Sequence, residues 1–247
     1  MLKASCLFCK EATMDAKNLS QRLLTVAKYV PKGARLADIG SDHAYLPAYL
    51  ALQEQISFGI AGEVVKGPYQ NAVNEIQKEG LSGQITARLA NGLAAIQADD
   101  QIDTITICGM GGPLICEILT AGKEKLAHHP LLILQPNVGE KNVRDWLSAN
   151  NYRIEAEEII AEDGHIYEII VACYTRDTVV YTPKELLFGP CLLTKVGEVF
   201  QAKWHKELTK KKKVLAQLEN AKGDLLAKKM QLQKEITLIE GVLNGES

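Results

Sequence analysis

The residues best placed to do chemistry lie where short apolar runs end. Asp38–Ile39–Gly40–Ser41–Asp42–His43–Ala44–Tyr45 closes the run Ala34–Ile39 and opens a helical stretch. A strand that stops in a tight glycine turn before a helix is where α/β folds bind nucleotides. Gly40 lets a ligand approach the backbone closely, and Asp38 can accept a hydrogen bond from a ligand ammonium, directly or through water. Glu63 ends the next run, 23 residues after Gly40. A carboxylate at that spacing suits the two hydroxyls of a ribose. The third run ends at Asn91–Gly92, whose amide both donates and accepts, as contact with an adenine amino group requires. The fourth ends at Gly109–Met110–Gly111–Gly112, a backbone open to close approach, with Met110 able to pack beside an adenine. The fifth ends at Gln135–Pro136–Asn137, an amide pair on a stiff turn. Each feature has a plainer reading: Ser41 or Asp42 as a helix cap, Glu63 as an ordinary loop carboxylate. Convergence of five polar strand ends is what favours a ligand.

Placing those ends together needs a parallel sheet. The runs Ala34–Ile39, Ser57–Ala61, Gln84–Leu89, Thr104–Cys108 and Leu131–Leu134 are short and mostly separated by helical patterns, as in successive βαβ units. Tyr152–Ala161 and Ile166–Cys173 alternate more clearly and flank Asp163–Gly164, a hairpin signal. Five parallel strands closed by an antiparallel pair predict a class I, Rossmann-like methyltransferase fold: a mostly parallel seven-stranded sheet whose last strands are antiparallel. A dinucleotide-binding dehydrogenase would continue in parallel and carry a different glycine pattern.

The expected organisation is a disordered extension over 1–13, a Rossmann-like methyltransferase domain over 14–180 and a helical coiled-coil domain over 185–247. Residues 14–33 read as one helix, and 185–247 as helix only. In the last segment Trp204, Leu208, Leu215, Leu218, Leu225, Leu232, Ile236, Ile239 and Leu243 recur at a heptad-like period. Asn220–Asp224 interrupts them with poor helix formers, which predicts an antiparallel coiled-coil hairpin, with one long helix or a dimerisation stripe as alternatives.

Composition narrows the class. Of 247 residues, 47% are hydrophobic and 23% charged, as in an ordinary soluble protein large enough to bury a core without staples. No apolar run reaches the ~20 residues of a membrane span, and the N-terminus is too polar for a signal peptide. A cytoplasmic location is therefore expected. The six cysteines contain one CxxC pair, Cys6 and Cys9, with no second pair nearby, so no metal site is expected. Residues 181–247 carry 12 lysines, no arginine and eight acids inside a chain of net charge −2. A basic tail on an acidic protein points to a polyanionic partner or to a solvated helix face.

The stretches LSQRLLTVAKYVPKGARLADIGSDHAYLP, AGE, ITICGMGG, LILQPN and EDGHIYEIIVA resemble the bacterial TrmK family of tRNA (adenine(22)-N(1))-methyltransferases. The resemblance spans about residues 18–247. It implies S-adenosyl-L-methionine as cofactor, tRNA as partner, and no requirement for a membrane or a protein partner. It implies that the cofactor lies against Asp38, Gly40, Glu63, Asn91, Gly92 and Gly109–Met110–Gly111, with Ser41 in the same turn. Family members often have aspartate where this chain has Asn91, which keeps the acceptor and loses the charge. Asp42, past the glycine turn, is the expected catalytic carboxylate. It would stabilise charge on the methylated base or take a proton from it. His43 and Tyr45 would orient Asp42 or stack on the base, and Asn137 would meet the base edge. Lys210, Lys211, Lys212 and Lys213, with Lys203, Lys206, Lys222, Lys228 and Lys229, would contact phosphates. Two other readings stay open: a methyltransferase of this fold acting on a small molecule or protein, and a non-catalytic nucleotide-binding scaffold.

Overall fold

The structure is a computed structural model that describes residues 15–219 and 225–245. The expected extension with Cys6 and Cys9, and the interruption at 220–224 with Lys222, lie outside the described residues.

Seven strands form one sheet in the order β3-β2-β1-β4-β5-β7-β6. They are β1 (Ala34–Ile39), β2 (Ile56–Glu63), β3 (Ile85–Leu89), β4 (Thr104–Gly111), β5 (Leu131–Val138), β6 (Tyr152–Glu162) and β7 (His165–Tyr174). The first five run parallel, and β7 is antiparallel to both β5 and β6. Asp163 (φ 49°) and Gly164 (φ 74°) form the two-residue turn between β6 and β7. Both take the left-handed conformation that tight hairpins require. Because β1 pairs with β2 on one side and β4 on the other, the strand order reverses beside β1. A crevice opens there at the carboxyl edge of the sheet.

Helices cover both faces. α1 (Gln21–Tyr29), α2 (Tyr45–Leu52) and α3 (Lys66–Lys78) pack on one; α4 (Gly112–Ala121) and α5 (Glu140–Ala149) pack on the other. Strand alternation sorts the core accordingly. Leu36, Ile133, Ile169 and Val171 bury toward α1–α3, while Ala37, Ile39, Ile105, Ile107, Leu132, Leu134 and Ile170 bury toward α4 and α5. The same period-two rule places Asp38, Thr106, Gln135, Asn137 and Tyr167 on the α1 side.

Two expectations are corrected. Helix α1 starts at Gln21, not at Met14. Asp15 accepts hydrogen bonds from the backbone of Lys17 and Asn18, a local turn that competes with helix, and the Ser20 hydroxyl caps α1 by accepting from Leu23 N. The C-terminal segment is not helix throughout. α6 (Pro183–Phe188) opens early on a Thr182–Glu185 capping box, and Gly189–Gly197 is non-helical apart from the short turn Leu192–Thr194. Gly189 (φ 93°) is required there, because a Cβ would lie 2.5 Å from a buried Glu157 oxygen.

Beyond it, α7 (Glu198–Glu219) and α8 (Leu226–Leu243) lie side by side. Lys211–Glu235 and Lys212–Glu240, each at 2.6 Å, join them, and Trp204, earlier on α7, packs with Ile239 and Val242, later on α8, so the two helices run antiparallel. Their root packs on the sheet through Phe188, Phe200, Trp204, Ile239 and Val242, with Ile159 of β6.

Candidate active site

The turn after β1 is strained as well as tight. Gly40 (φ 70°) is followed, after Ser41, by Asp42 (φ 30°), His43 (φ 64°) and Ala44 (φ 58°). Three consecutive non-glycine residues at positive φ cost roughly 1–2 kcal/mol each. Asp42 and Ala44 stand where glycine is usual, and they keep a glycine-like backbone. Surrounding bonds hold the turn. Ser41 Oγ donates to Asp38 Oδ2, Ala44 N donates to Ser41 O, and Asp42 N donates to Glu63 Oε1 at 2.6 Å. Backbone strain held in place this way is concentrated at functional sites. Neither Ser41 nor Asp42 caps a helix with its side chain. The conformation turns the Asp42 side chain outward, 73% exposed, beside a half-exposed His43 that stacks on Tyr45 at 5.0 Å.

Asp38 is buried on the α1 face. Its Oδ1 accepts from Thr106 Oγ1 at 2.6 Å, the residue it pairs with across the β1–β4 ladder. Burial pushes its carboxyl up to about 6, against the Ser41 and Thr106 hydroxyls, which favour the anion. Glu63 is buried at the end of β2, and burial raises its carboxyl too, with the Asp42 N–H pulling the other way. Asn91 is exposed at the end of β3. Gly40 leaves room for the Met110 side chain: a Cβ there would lie 2.1 Å from Met110 Cε. Among the glycines at the end of β4, Gly109 (φ 75°) is demanded by its left-handed conformation. Gly112 is demanded by packing, because a Cβ would meet Gly139 O at 2.1 Å. That room is filled by protein backbone rather than left for a ligand.

The structure adds features that the sequence did not single out. Val64 and Val65 after β2, Leu89 on β3, Leu114 at the start of α4 and Val138 on β5 are all well exposed, and all stand at the carboxyl edge. Large aliphatics uncovered together on a rim mark a binding surface. Arg22 of α1 also reaches this edge. Its Nη1 donates to Gln135 Oε1 at 2.5 Å, and the guanidinium lies 5.5 Å from the Tyr167 ring centre.

A groove of about 600 Å³ leads away from the rim, lined by Asn137, Gly139, His165 and Tyr167 on one side and Lys206 and Lys210 of α7 on the other. The lysine run does not act as a block. Lys211 is engaged with Glu235, Lys212 pairs with Glu240, and Lys210 (71% exposed) lies 3.5 Å from Glu207. Lys213 is exposed. Lys203 does not face solvent as expected of a phosphate contact: its ammonium is held by Glu140 and Glu168 at the hairpin root. Among the described residues, no group of three or more His, Cys, Asp or Glu side chains could hold a metal ion, and no helix is long and apolar enough to cross a membrane.

Comparison with known proteins now decides the family. Residues 36–241 match the family model TrmK, tRNA (adenine(22)-N(1))-methyltransferase. The chain belongs to the TrmK family. A Bacillus subtilis relative described as tRNA (adenine(22)-N(1))-methyltransferase is 42% identical over 235 residues, covering 90% of this chain and 98% of its own. A Streptococcus pneumoniae structure in complex with S-adenosyl-L-methionine is 44% identical with a TM-score of 0.82, covering 91% of this chain and 99% of the other. M. capricolum TrmK, in complex with the natural cofactor product S-adenosyl-homocysteine, is 31% identical with a TM-score of 0.80, covering 92% and 98%. The fold expected from the strand pattern is therefore that of the TrmK family.

Proposed function

We infer that this chain transfers the methyl group of S-adenosyl-L-methionine to N1 of adenine 22 in tRNA. The observation that carries the reading is the rim itself: carboxylates, amides, one strained turn and five exposed aliphatics along the carboxyl edge of a TrmK-family sheet. These residues suit the cofactor. Glu63 offers a carboxylate for ribose hydroxyls, Asn91 an amide for adenine, the glycine turn at Gly40 a close backbone, and Asp38 a negative charge for the ammonium. When bound, the sulfonium supplies an electrophilic methyl group. The chain's part is to hold the adenine in line with it, with water excluded by the rim's apolar side chains. Adenine N1 carries its own lone pair, so no base is needed to create the nucleophile. N1 is hidden in a paired base, so the target must be unpaired or extruded. A tRNA substrate supports the cytoplasmic location expected from the sequence. Labelled S-adenosyl-L-methionine with unmodified tRNA transcripts, followed by mapping of the product, tests the reading: the label belongs on N1 of A22. Its absence from every transcript would end the assignment.

Asp38 gives the cofactor step a pH signature. Burial pushes its carboxyl up to about 6, and only the anion attracts an ammonium. Affinity for S-adenosyl-L-methionine is therefore expected to weaken as pH falls through about 6, by up to tenfold per unit below it. For the empty fold the sign is opposite: a carboxyl raised by burial favours folding at low pH and loses that contribution as pH rises through 6. Titration calorimetry from pH 5 to 8 reads the first effect, and Asp38→Asn should flatten the profile.

The hairpin gives a salt signature. Lys210 and Lys213 are the members of the lysine run best able to meet phosphates, since Lys211 and Lys212 are tied to α8. Removing both by Lys210→Ala and Lys213→Ala should lower the slope of log affinity for tRNA against log salt by about 1–2. Cofactor affinity should not change. An unaltered slope would take these two lysines out of tRNA recognition.

A further inference from the structure

We propose that Arg22 is a positioning residue that, through Gln135, fixes the Asn137 amide in the one orientation that reads the N6–N7 edge of the target adenine. The inference rests on adenine N1 being the methyl acceptor. An amide side chain reverses its pattern of donor and acceptor when it flips, and nothing in its shape forbids the flip. Here the pattern is dictated from both ends. Gln135 is fully buried, and its Oε1 accepts from Arg22 Nη1 at 2.5 Å and from Gly109 N at 2.9 Å. A guanidinium and a peptide N–H can only donate, so the oxygen must face them. Gln135 Nε2 then donates to Asn137 Oδ1 at 3.1 Å, and Asn137 Nδ2 donates to Gly109 O at 2.9 Å, a carbonyl that can only accept. The three groups close a ring in which every hydrogen bond runs the same way, with Arg22 as the charged donor outside it.

Asn137 is exposed at the end of β5, beside the groove that leads to the hairpin. With these bonds made, its Nδ2 keeps one hydrogen and its Oδ1 keeps one lone pair. An adenine whose N1 attacks the methyl group leaves its N6–H donor and N7 acceptor free. That is the pattern an asparagine amide pairs with. Guanine presents two acceptors, O6 and N7, on the same edge, so one of them would meet the Asn137 oxygen. Arg22 is itself anchored: its backbone N–H and that of Gln21 donate to Glu162 at the end of β6.

The test compares tRNA carrying adenosine at position 22 with tRNA carrying 7-deazaadenosine there, which lacks the N7 acceptor. The full-length chain is expected to methylate the deaza substrate with kcat/KM about 10–100-fold lower. Asn137→Ala should be slow on both and show no deaza penalty. Arg22→Met should bring the ratio of the two substrates close to one; because it also removes a positive charge that favours the Asp38 anion, the ratio is read at pH 8 with the cofactor saturating. Gln135→Glu keeps an acceptor for Arg22 but cannot donate to Asn137, so it too should lose the discrimination; it supplies the same readout should Arg22→Met fold poorly. Wild-type protein methylating both substrates equally would overturn the N7 contact. Variants of Arg22 and Gln135 that are slower but keep the wild-type ratio would reduce Arg22 to a structural role. If the adenosine tRNA itself goes unmethylated, the failure belongs to the underlying reading rather than to this one.

Discussion

Replacing Arg144 with methionine is expected to destabilise the fold by about 3–5 kcal/mol, the usual cost of stranding a buried charge. Arg144 on α5 is completely buried. Its Nε meets Glu157 Oε1 at 2.7 Å, Nη2 meets Glu168, and Nη1 donates to the Leu187 carbonyl at the end of α6. Glu157 also accepts from the backbone of Cys191, and Glu168 shares Lys203 of α7 with Glu140. Burial works against the charge on Arg144, but Glu168 and Glu157 outweigh it and raise its pKa. Burial dominates at Glu157, whose carboxyl is raised despite Arg144. Without the guanidinium, two carboxylates remain buried with one lysine and two peptide N–H groups. Glu157, already raised by burial, would take up a proton, so the deficit should shrink as pH falls from 8 toward 5: a carboxyl with raised pKa favours folding at low pH and loses that contribution as pH rises. Urea unfolding at both pH values measures this. A loss under 1 kcal/mol, or one independent of pH, would mean that the network is not the keystone described. The same network fixes the hairpin root to β6, β7 and α5, and so sets where Lys206 and Lys210 lie relative to the rim.

The strand pattern was readable because alternation and glycine turns are local signals. All seven apolar runs became strands, and the Asp163–Gly164 turn made the hairpin. The features that escaped are long-range. Arg22 lies 113 positions from Gln135, and one arginine on a helix carries no sign of its partner. Period-two alternation puts Gln135, Asn137 and Tyr167 on a single face, but only the packing of α1 shows what lies over that face. Nothing in the sequence marks Arg144 as buried. Its partners come from β6 and β7, and Gly189 makes room for them. Lys203 and Lys211 read as part of a basic face because their carboxylate partners lie on other elements: Glu140 of α5 and Glu168 of β7 for Lys203, Glu235 of α8 for Lys211. The start of α1 was missed for a smaller reason: Asp15 diverts the backbone into a turn that hydrophobic periodicity does not register.

Asp42→Asn is expected to lower kcat by about 100–1000-fold while leaving cofactor affinity within twofold of wild type. Methyl transfer creates no net charge. A positive charge already on sulfur moves to the purine as the new carbon–nitrogen bond forms. A carboxylate nearer the base than the sulfur therefore stabilises the transition state more than the ground state, which is the condition for raising kcat. The proposed role puts Asp42 on that side. Its backbone N–H faces inward to Glu63, the carboxylate assigned to the ribose, while its side chain projects outward beside His43 and Tyr45. The asparagine variant keeps the backbone contact and the side-chain size, and it removes only the charge. Asp42→Glu, which keeps the charge but lengthens the arm, should recover part of the loss. Single-turnover methylation with both substrates saturating separates this from weaker tRNA binding. Full turnover in Asp42→Asn would show that the strained turn serves the cofactor alone. A loss of cofactor affinity equal to the loss of rate would show that the two faces of Asp42 do not act separately.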